Sequence, residues 1–107
     1  MKQLSAKEVE ALLKAGDKVE VIDVREEFEV ATGKIPGAVH IPIGSIELRM
    51  GGLDKSKAYI FVCHSGARSA AVTRFLEGHG FNATNMNGGM IEWEGEIEEI
   101  NCSEVKP

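Results

Sequence analysis

One cysteine in this chain stands where a nucleophile could be made. In YIFVCHSGARSAA, Tyr59 to Ala71, four bulky residues lead into Cys63, and His64, Ser65, Gly66, Ala67 and Arg68 follow before the sequence turns to helix formers. If the residues after Cys63 curl into a semicircle, successive backbone N–H groups point inward. Such a nest, joined to a helix N-terminus, makes an anion cradle. A thiol at its centre gains three influences: oriented amides, the helix dipole and the Arg68 guanidinium. Together these can lower a thiol pKa from roughly 8.5 into the range of about 3.5–7.5, and the thiolate is the nucleophile. Gly66 supplies the backbone freedom a tight loop needs. Ser65 and Ser69 can donate hydrogen bonds to a bound anion or cap the helix. The alternative is that Cys63 packs at a strand end, since free cysteine is among the most buried residue types. A packing cysteine has no need of a Gly-and-Arg loop running into a helix start, so a nucleophile is expected.

The elements that must hold this loop follow from periodicity. Ala58–Val62 lacks polar alternation and reads as a strand buried on both faces, and Ser69–Glu77 as a helix with Ala71, Val72, Phe75 and Leu76 facing inward. Earlier, Ser5 to Glu8 forms a capping box ahead of a helix carrying Val9, Leu12 and Leu13, with Gly16 as its stop. Lys18–Val24 is dense in β-branched residues and predicts a buried strand. Glu26–Ala31 and Ile46–Met50 predict short helical segments, Val39–Ile41 a short strand ended by Pro42, and Thr84–Met86 a last strand. Gly88 and Gly89 predict a tight turn into a final helix, with Trp93 as a core anchor. Strands alternating with helices indicate an α/β domain around a mainly parallel sheet, where ligands bind beyond the carboxyl ends of strands. Cys63 sits at that end of one strand; Asp23 and Arg25 sit at that end of another.

The bulk numbers narrow the function classes. A length of 107 residues suits one domain, with 43% apolar and 27% charged residues as in ordinary globular proteins. The net charge of −5 argues against nucleic acid as a partner, because phosphate binding needs a clustered basic surface. No apolar run reaches membrane-spanning length and the charged start lacks a signal-peptide core, so a cytoplasmic protein without a membrane partner is expected. Cys63 and Cys102 do not have the spacing of a metal pair, and His40, His64 and His79 are scattered, so no metal site is expected. Cys102 lies in an acidic end and reads as an unpaired surface thiol.

The segment C-H-S-G-A-R-S resembles the active-site loop of single-domain rhodaneses, the thiosulfate sulfurtransferases. Three more stretches agree in order and spacing: IDVREEFEVATGKIPGAVHIP, the strand YIFV, and GHGFNATNMNGGMIEW. Lys34 departs from the pattern, which often has His before I-P-G-A. The resemblance implies a rhodanese-like three-layer α/β domain over residues 1–95, with a mainly parallel five-stranded sheet and helices on both faces. Residues 96–107 would form an acidic C-terminal tail. It further implies that Cys63 attacks the outer sulfur of thiosulfate or a persulfide donor, holds it as a persulfide, and passes it to cyanide or a thiol. Arg68 would orient the small anionic donor, with His64, Ser65, Gly66, Ala67 and Ser69 forming the substrate-binding loop. His64, next to the nucleophile, is expected to point to solvent and tune donor access, with proton donation to the acceptor as the alternative. No cofactor is implied, and the acceptor could be thioredoxin or another sulfur-relay protein. Asp23 and Arg25 would stand behind the loop, either as an ion pair or turn cap fixing the strand end, or with Arg25 adding positive potential and Asp23 accepting from loop amides. Small phosphatases and arsenate reductases of this fold resemble C-x(5)-R, whereas four residues separate Cys63 from Arg68. The shorter ring suits a sulfur atom better than a phosphate tetrahedron. A sulfur carrier or a regulatory binding module would be compatible with the same loop.

Overall fold

The computed structural model describes residues 1–99. Five strands form one sheet: β1 (Lys2–Ser5), β2 (Val19–Asp23), β3 (Val39–His40), β4 (Ala58–Val62) and β5 (Asn82–Asn87), in the order β1-β5-β4-β2-β3. Every pairing between them is parallel, so the sheet is wholly rather than mainly parallel. β4 lies at the centre, flanked by β5 and β2. Its alternate residues feed two cores, as its lack of polar alternation requires. Tyr59 and Phe61 point into one, with Ile22, Val72, Leu76 and Ala83; Ile60 and Val62 point into the other, with Val9, Val21, Ile35 and Met86.

Four helices are distributed over those faces: α1 (Ala6–Lys14), α2 (Glu27–Val30), α3 (Ile46–Arg49) and α4 (Ala67–Gly78). The capping box at α1 is formed as expected. The Glu8 amide donates to Ser5 Oγ at 3.1 Å and the Ser5 amide to Glu8 Oε1 at 2.8 Å. α1 supplies Val9 to one core and α4 supplies Val72 and Leu76 to the other, so the two crossovers cover opposite faces of the sheet.

Several expectations change. β1 was not expected, because Lys2–Ser5 has no apolar alternation; it exists through backbone pairing of an edge strand with β5, from Lys2↔Thr84 to Ser5↔Asn87. β5 is correspondingly longer than Thr84–Met86. α4 begins at Ala67, two residues before the expected start, because Gly66 at φ 97° turns the chain directly into helix. The inward face of α4 is Ser69, Val72, Thr73 and Leu76; Phe75 is half-buried and Ala71 is exposed. Two polar residues on that stripe disguised its phase. The final helix is only a 3₁₀ turn, Gly89–Glu92, and Trp93 is half-buried, its indole N–H donating to the Glu96 carbonyl at 2.9 Å. Near the end of the described residues, Glu98 returns to Lys34. Their backbones bridge antiparallel, and Lys34 Nζ reaches Glu98 Oε1 at 2.6 Å and the Ala38 carbonyl at 2.8 Å. Cys102 lies outside the described residues.

Candidate active site

β4 ends at Val62 and delivers Cys63 to the carboxyl edge of the sheet, where α4 begins four residues later. Between them only His64, Ser65 and Gly66 form loop. That brevity curls the backbone around the sulfur. The Gly66 amide donates to Cys63 Sγ at 3.1 Å, and the Ser69 amide, in the first turn of α4, does so at 3.4 Å. Ser69 Oγ lies 3.3 Å from the same sulfur. Cys63 is wholly enclosed, while His64, Ser65 and Ala67 are exposed and Ser69 is buried.

The protonation balance of Cys63 follows from this arrangement. Burial, the largest single influence, pushes the thiol up. The Ser69 hydroxyl and then the Ser69, Gly66 and Ser65 amides pull it down, and together they leave it below its ordinary value. Arg68 is not among the principal causes. Its guanidinium is turned onto Glu29, with Nη1 and Nη2 each 2.7 Å from a carboxylate oxygen. This bidentate pair holds the Glu29 carboxyl down at about 2, chiefly through the Arg68 hydrogen bonds, and raises Arg68 further still. The hydrogen-bond donors that favour the thiolate are the neighbouring amides and a hydroxyl, while Arg68 is coupled to Cys63 only through its charge.

Asp23 and Arg25 are both buried and meet in a fork. Arg25 Nη2 lies 2.8 Å from Asp23 Oδ2 and Nε 3.0 Å from Oδ1, and the Arg25 amide also donates to Oδ1 at 3.0 Å. Arg25 further donates to the Gly33 carbonyl at 2.7 Å and the Glu29 carbonyl at 3.4 Å. The pair thereby ties the segment containing α2 to the end of β2. α2 in turn carries Glu29, whose Oε1 also accepts from the Glu26 amide at 3.0 Å.

The Gly88–Gly89 turn closes the other side. The Met90 amide donates to the Cys63 carbonyl at 2.9 Å and the Ile91 amide to the His64 carbonyl at 3.0 Å. Gly89, at φ +62°, leaves no room for a side chain: a Cβ there would stand 2.4 Å from the His64 oxygen and 2.6 Å from the Cys63 oxygen. Two participants had not been singled out in the sequence. Glu29 is one of several glutamates around α2, with nothing local to mark it. Asn85 is a polar residue inside a strand, a signal that could have been taken up; it is 1% exposed and contacts both Ser69 and Gly66. Among the described residues no cluster of His, Cys, Asp and Glu could hold a metal ion, and no helix is long and apolar enough to cross a membrane.

Two substitutions probe this framework. Gly89→Ala is expected to cost roughly 2–3 kcal/mol, from backbone collision and a strained left-handed φ, read as a lower denaturant midpoint. Glu29→Gln is expected to cost on the order of 1–2 kcal/mol at neutral pH, discounted for the partial exposure of Arg68. Glu29 has its carboxyl depressed from 4.5 to about 2, so its contribution is present above pH 4.5 and lost as pH falls toward 2. Thermal melts of the two proteins should therefore converge in acid; a gap independent of pH would contradict the ion pair.

The model for the rhodanese-like domain matches residues 5–96. A Bacillus subtilis protein named "Putative sulfurtransferase YtwF" is 45% identical over 101 residues, covering 94% of this chain and 98% of its own length. Human thiosulfate:glutathione sulfurtransferase is 30% identical over 105 residues, covering 84% of this chain and 90% of its own. A crystal structure of a rhodanese-like domain protein from Staphylococcus aureus matches with a TM-score of 0.88 and 36% identity, covering 94% of this chain and all of that one. With a parallel sheet delivering Cys63 into a loop of inward-facing amides, and with these matches over nearly its full length, the chain belongs to the rhodanese-like domain family.

Proposed function

We propose that this protein is a sulfurtransferase that moves a sulfane sulfur, from thiosulfate or a persulfide donor, to a thiophilic acceptor through a persulfide on Cys63. The observation that carries the reading is the convergence of the Gly66 and Ser69 amides and the Ser69 hydroxyl on one sulfur, at 3.1 to 3.4 Å. Donors so placed stabilise negative charge on sulfur without reorganising at the moment of reaction. The Cys63 thiolate attacks the outer sulfur of the donor. A new S–S bond forms, the donor's S–S bond breaks, and its electron pair leaves with sulfite or a thiolate. The terminal sulfur of the resulting persulfide takes the negative charge, within reach of the same donors. A thiol or cyanide then attacks that terminal sulfur, returning the electron pair to Cys63. Two half-reactions of this kind give ping-pong kinetics.

The tightness of the loop bears on what it accepts. Cys63 is wholly enclosed, so a donor reaches it only as the loop carrying the exposed His64 and Ser65 gives way. A single protruding sulfur asks for less widening than a phosphate tetrahedron, which supports sulfur transfer over phosphate chemistry. Arg68, half-exposed at the rim, meets an anionic donor only in competition with Glu29. The reading requires a reduced thiol, the state that the cytosol maintains. Thioredoxin or another sulfur-relay protein would serve as acceptor. Names among the relatives support the class of chemistry: one is called a thiosulfate:glutathione sulfurtransferase.

The test is intact mass of the protein before and after thiosulfate or a low-molecular-weight persulfide, and again after cyanide. One sulfur atom should be gained, mapped to Cys63, and then lost. Cys63→Ser should gain none and show no turnover, because a hydroxyl cannot form the intermediate. Sulfur gained elsewhere, or turnover surviving in Cys63→Ser, would overturn the assignment.

A further inference from the structure

Ser69 carries one hydroxyl proton, and two acceptors stand beside it. Cys63 Sγ is 3.3 Å away and Asn85 Oδ1 is 2.6 Å away. The orientation of the Asn85 amide is settled by its other neighbours. Its nitrogen donates to the Gly66 carbonyl at 3.3 Å and to Gln3 Oε1 at 3.2 Å. A backbone carbonyl only accepts, so the nitrogen must face Gly66 and the oxygen must face Ser69. Asn85 is 1% exposed, and among the described residues its oxygen has no donor besides Ser69.

We propose that Asn85 is a positioning residue that competes with Cys63 for the single proton of Ser69, restraining ionisation of the free cysteine and favouring the sulfur-loaded one. With Cys63 as a thiol, the S–H can point to Ser69 Oγ while the hydroxyl donates to Asn85, and every group is satisfied. Ionisation removes the sulfur's proton and draws the hydroxyl toward the thiolate. Asn85 Oδ1 is then left buried without a donor, a state that carries a free-energy penalty. The remaining charges around Cys63 are paired among themselves. Arg68 of α4 is held by Glu29 of α2, and Asp23 by Arg25 at the end of β2. His64 is exposed, and the turn after β5 brings Glu92, whose side chain lies over Gly88. None of these supplies a proton to Asn85.

The consequence for turnover rests on the sulfur-transfer reading above. When Cys63 attacks a sulfane sulfur, Sγ passes from an anion to one member of a neutral S–S bond and becomes a poor acceptor. The Ser69 proton then returns to Asn85, and the charge resides on the terminal sulfur among the loop amides. Asn85 thus opposes the bare thiolate and supports the loaded enzyme.

The experiment is the pH dependence of Cys63 alkylation by iodoacetamide, read by peptide mass so that Cys102 does not contribute. Asn85→Ala and the volume-preserving Asn85→Leu are compared with Ser69→Ala and with Ser69→Ala/Asn85→Ala, each checked for folding by circular dichroism. Both Asn85 variants should move the midpoint down, raising the rate below the midpoint by roughly tenfold. Ser69→Ala should move it up, and the double variant should match Ser69→Ala, because Asn85 acts only through the hydroxyl. A merely structural role would change the rate at every pH and leave the midpoint in place. An unmoved or raised midpoint in a folded Asn85 variant, or a downward shift that persists without the Ser69 hydroxyl, overturns the proposal. A second arm measures persulfide formed at limiting thiosulfate: Asn85→Ala should hold less than the parent protein, and an equal or greater amount counts against the proposal. If no protein gains sulfur from any donor, the functional reading falls, while the alkylation midpoints still decide the role of Asn85.

Discussion

A sulfur anion inside a protein is opposed by its own burial, and the architecture around Cys63 is organised by that opposition. The desolvation that disfavours the thiolate must be offset by donors close enough to count, and hydrogen bonds to sulfur weaken within fractions of an ångström. The Gly66 and Ser69 amides satisfy this only because the loop between the end of β4 and the start of α4 is four residues long, Cys63 included. A longer loop would spread the same amides over a wider ring. Helix start, glycine turn and strand end are therefore parts of one constraint, which is the radius at which peptide hydrogens surround one atom.

Charge is arranged around that ring rather than within it. Arg68 lies on the loop side of α4, yet its fork is occupied by Glu29. Glu29 in turn belongs to α2, which Arg25 anchors to β2 through the Glu29 and Gly33 carbonyls. Two arginines and two acids thus brace the rim, and the hydrogen bonds that lower the Cys63 thiol come from short-range neutral donors. Such donors are insensitive to salt, whereas a bare guanidinium would be screened. The bracing also makes Ser69 and its neighbour Asn85 more consequential, because the Arg68 guanidinium is directed at Glu29.

Much of the frame could be read in the residues. The buried strand Ala58–Val62, the α1 capping box, and the role of Gly66 as the hinge into a helix all follow from local chemistry. So does the Gly88–Gly89 turn, although the reason for a second glycine lies in the oxygens of Cys63 and His64 across the turn. Where the reading failed, the determinant was distant in sequence. Lys2–Ser5 becomes a strand only because β5 offers an unpaired edge. Ala71 looked internal because Ser69 and Thr73, the polar members of the true inward face, find partners inside the fold: Ser69 in Asn85 and Cys63, Thr73 in the Ser69 carbonyl at 2.7 Å.

By itself, then, the sequence picked out Cys63, the loop that enfolds it and the α/β scaffold. Each rests on residue type and spacing within a dozen positions, where backbone geometry leaves few choices. The tertiary structure decided the distant partners: that Arg68 belongs to Glu29, and that Ser69 is shared between Cys63 and Asn85. Hydrogen bonds and ion pairs act over about 3 Å. Which groups come that close depends on the order in which parallel strands lie side by side, and no local pattern encodes that order.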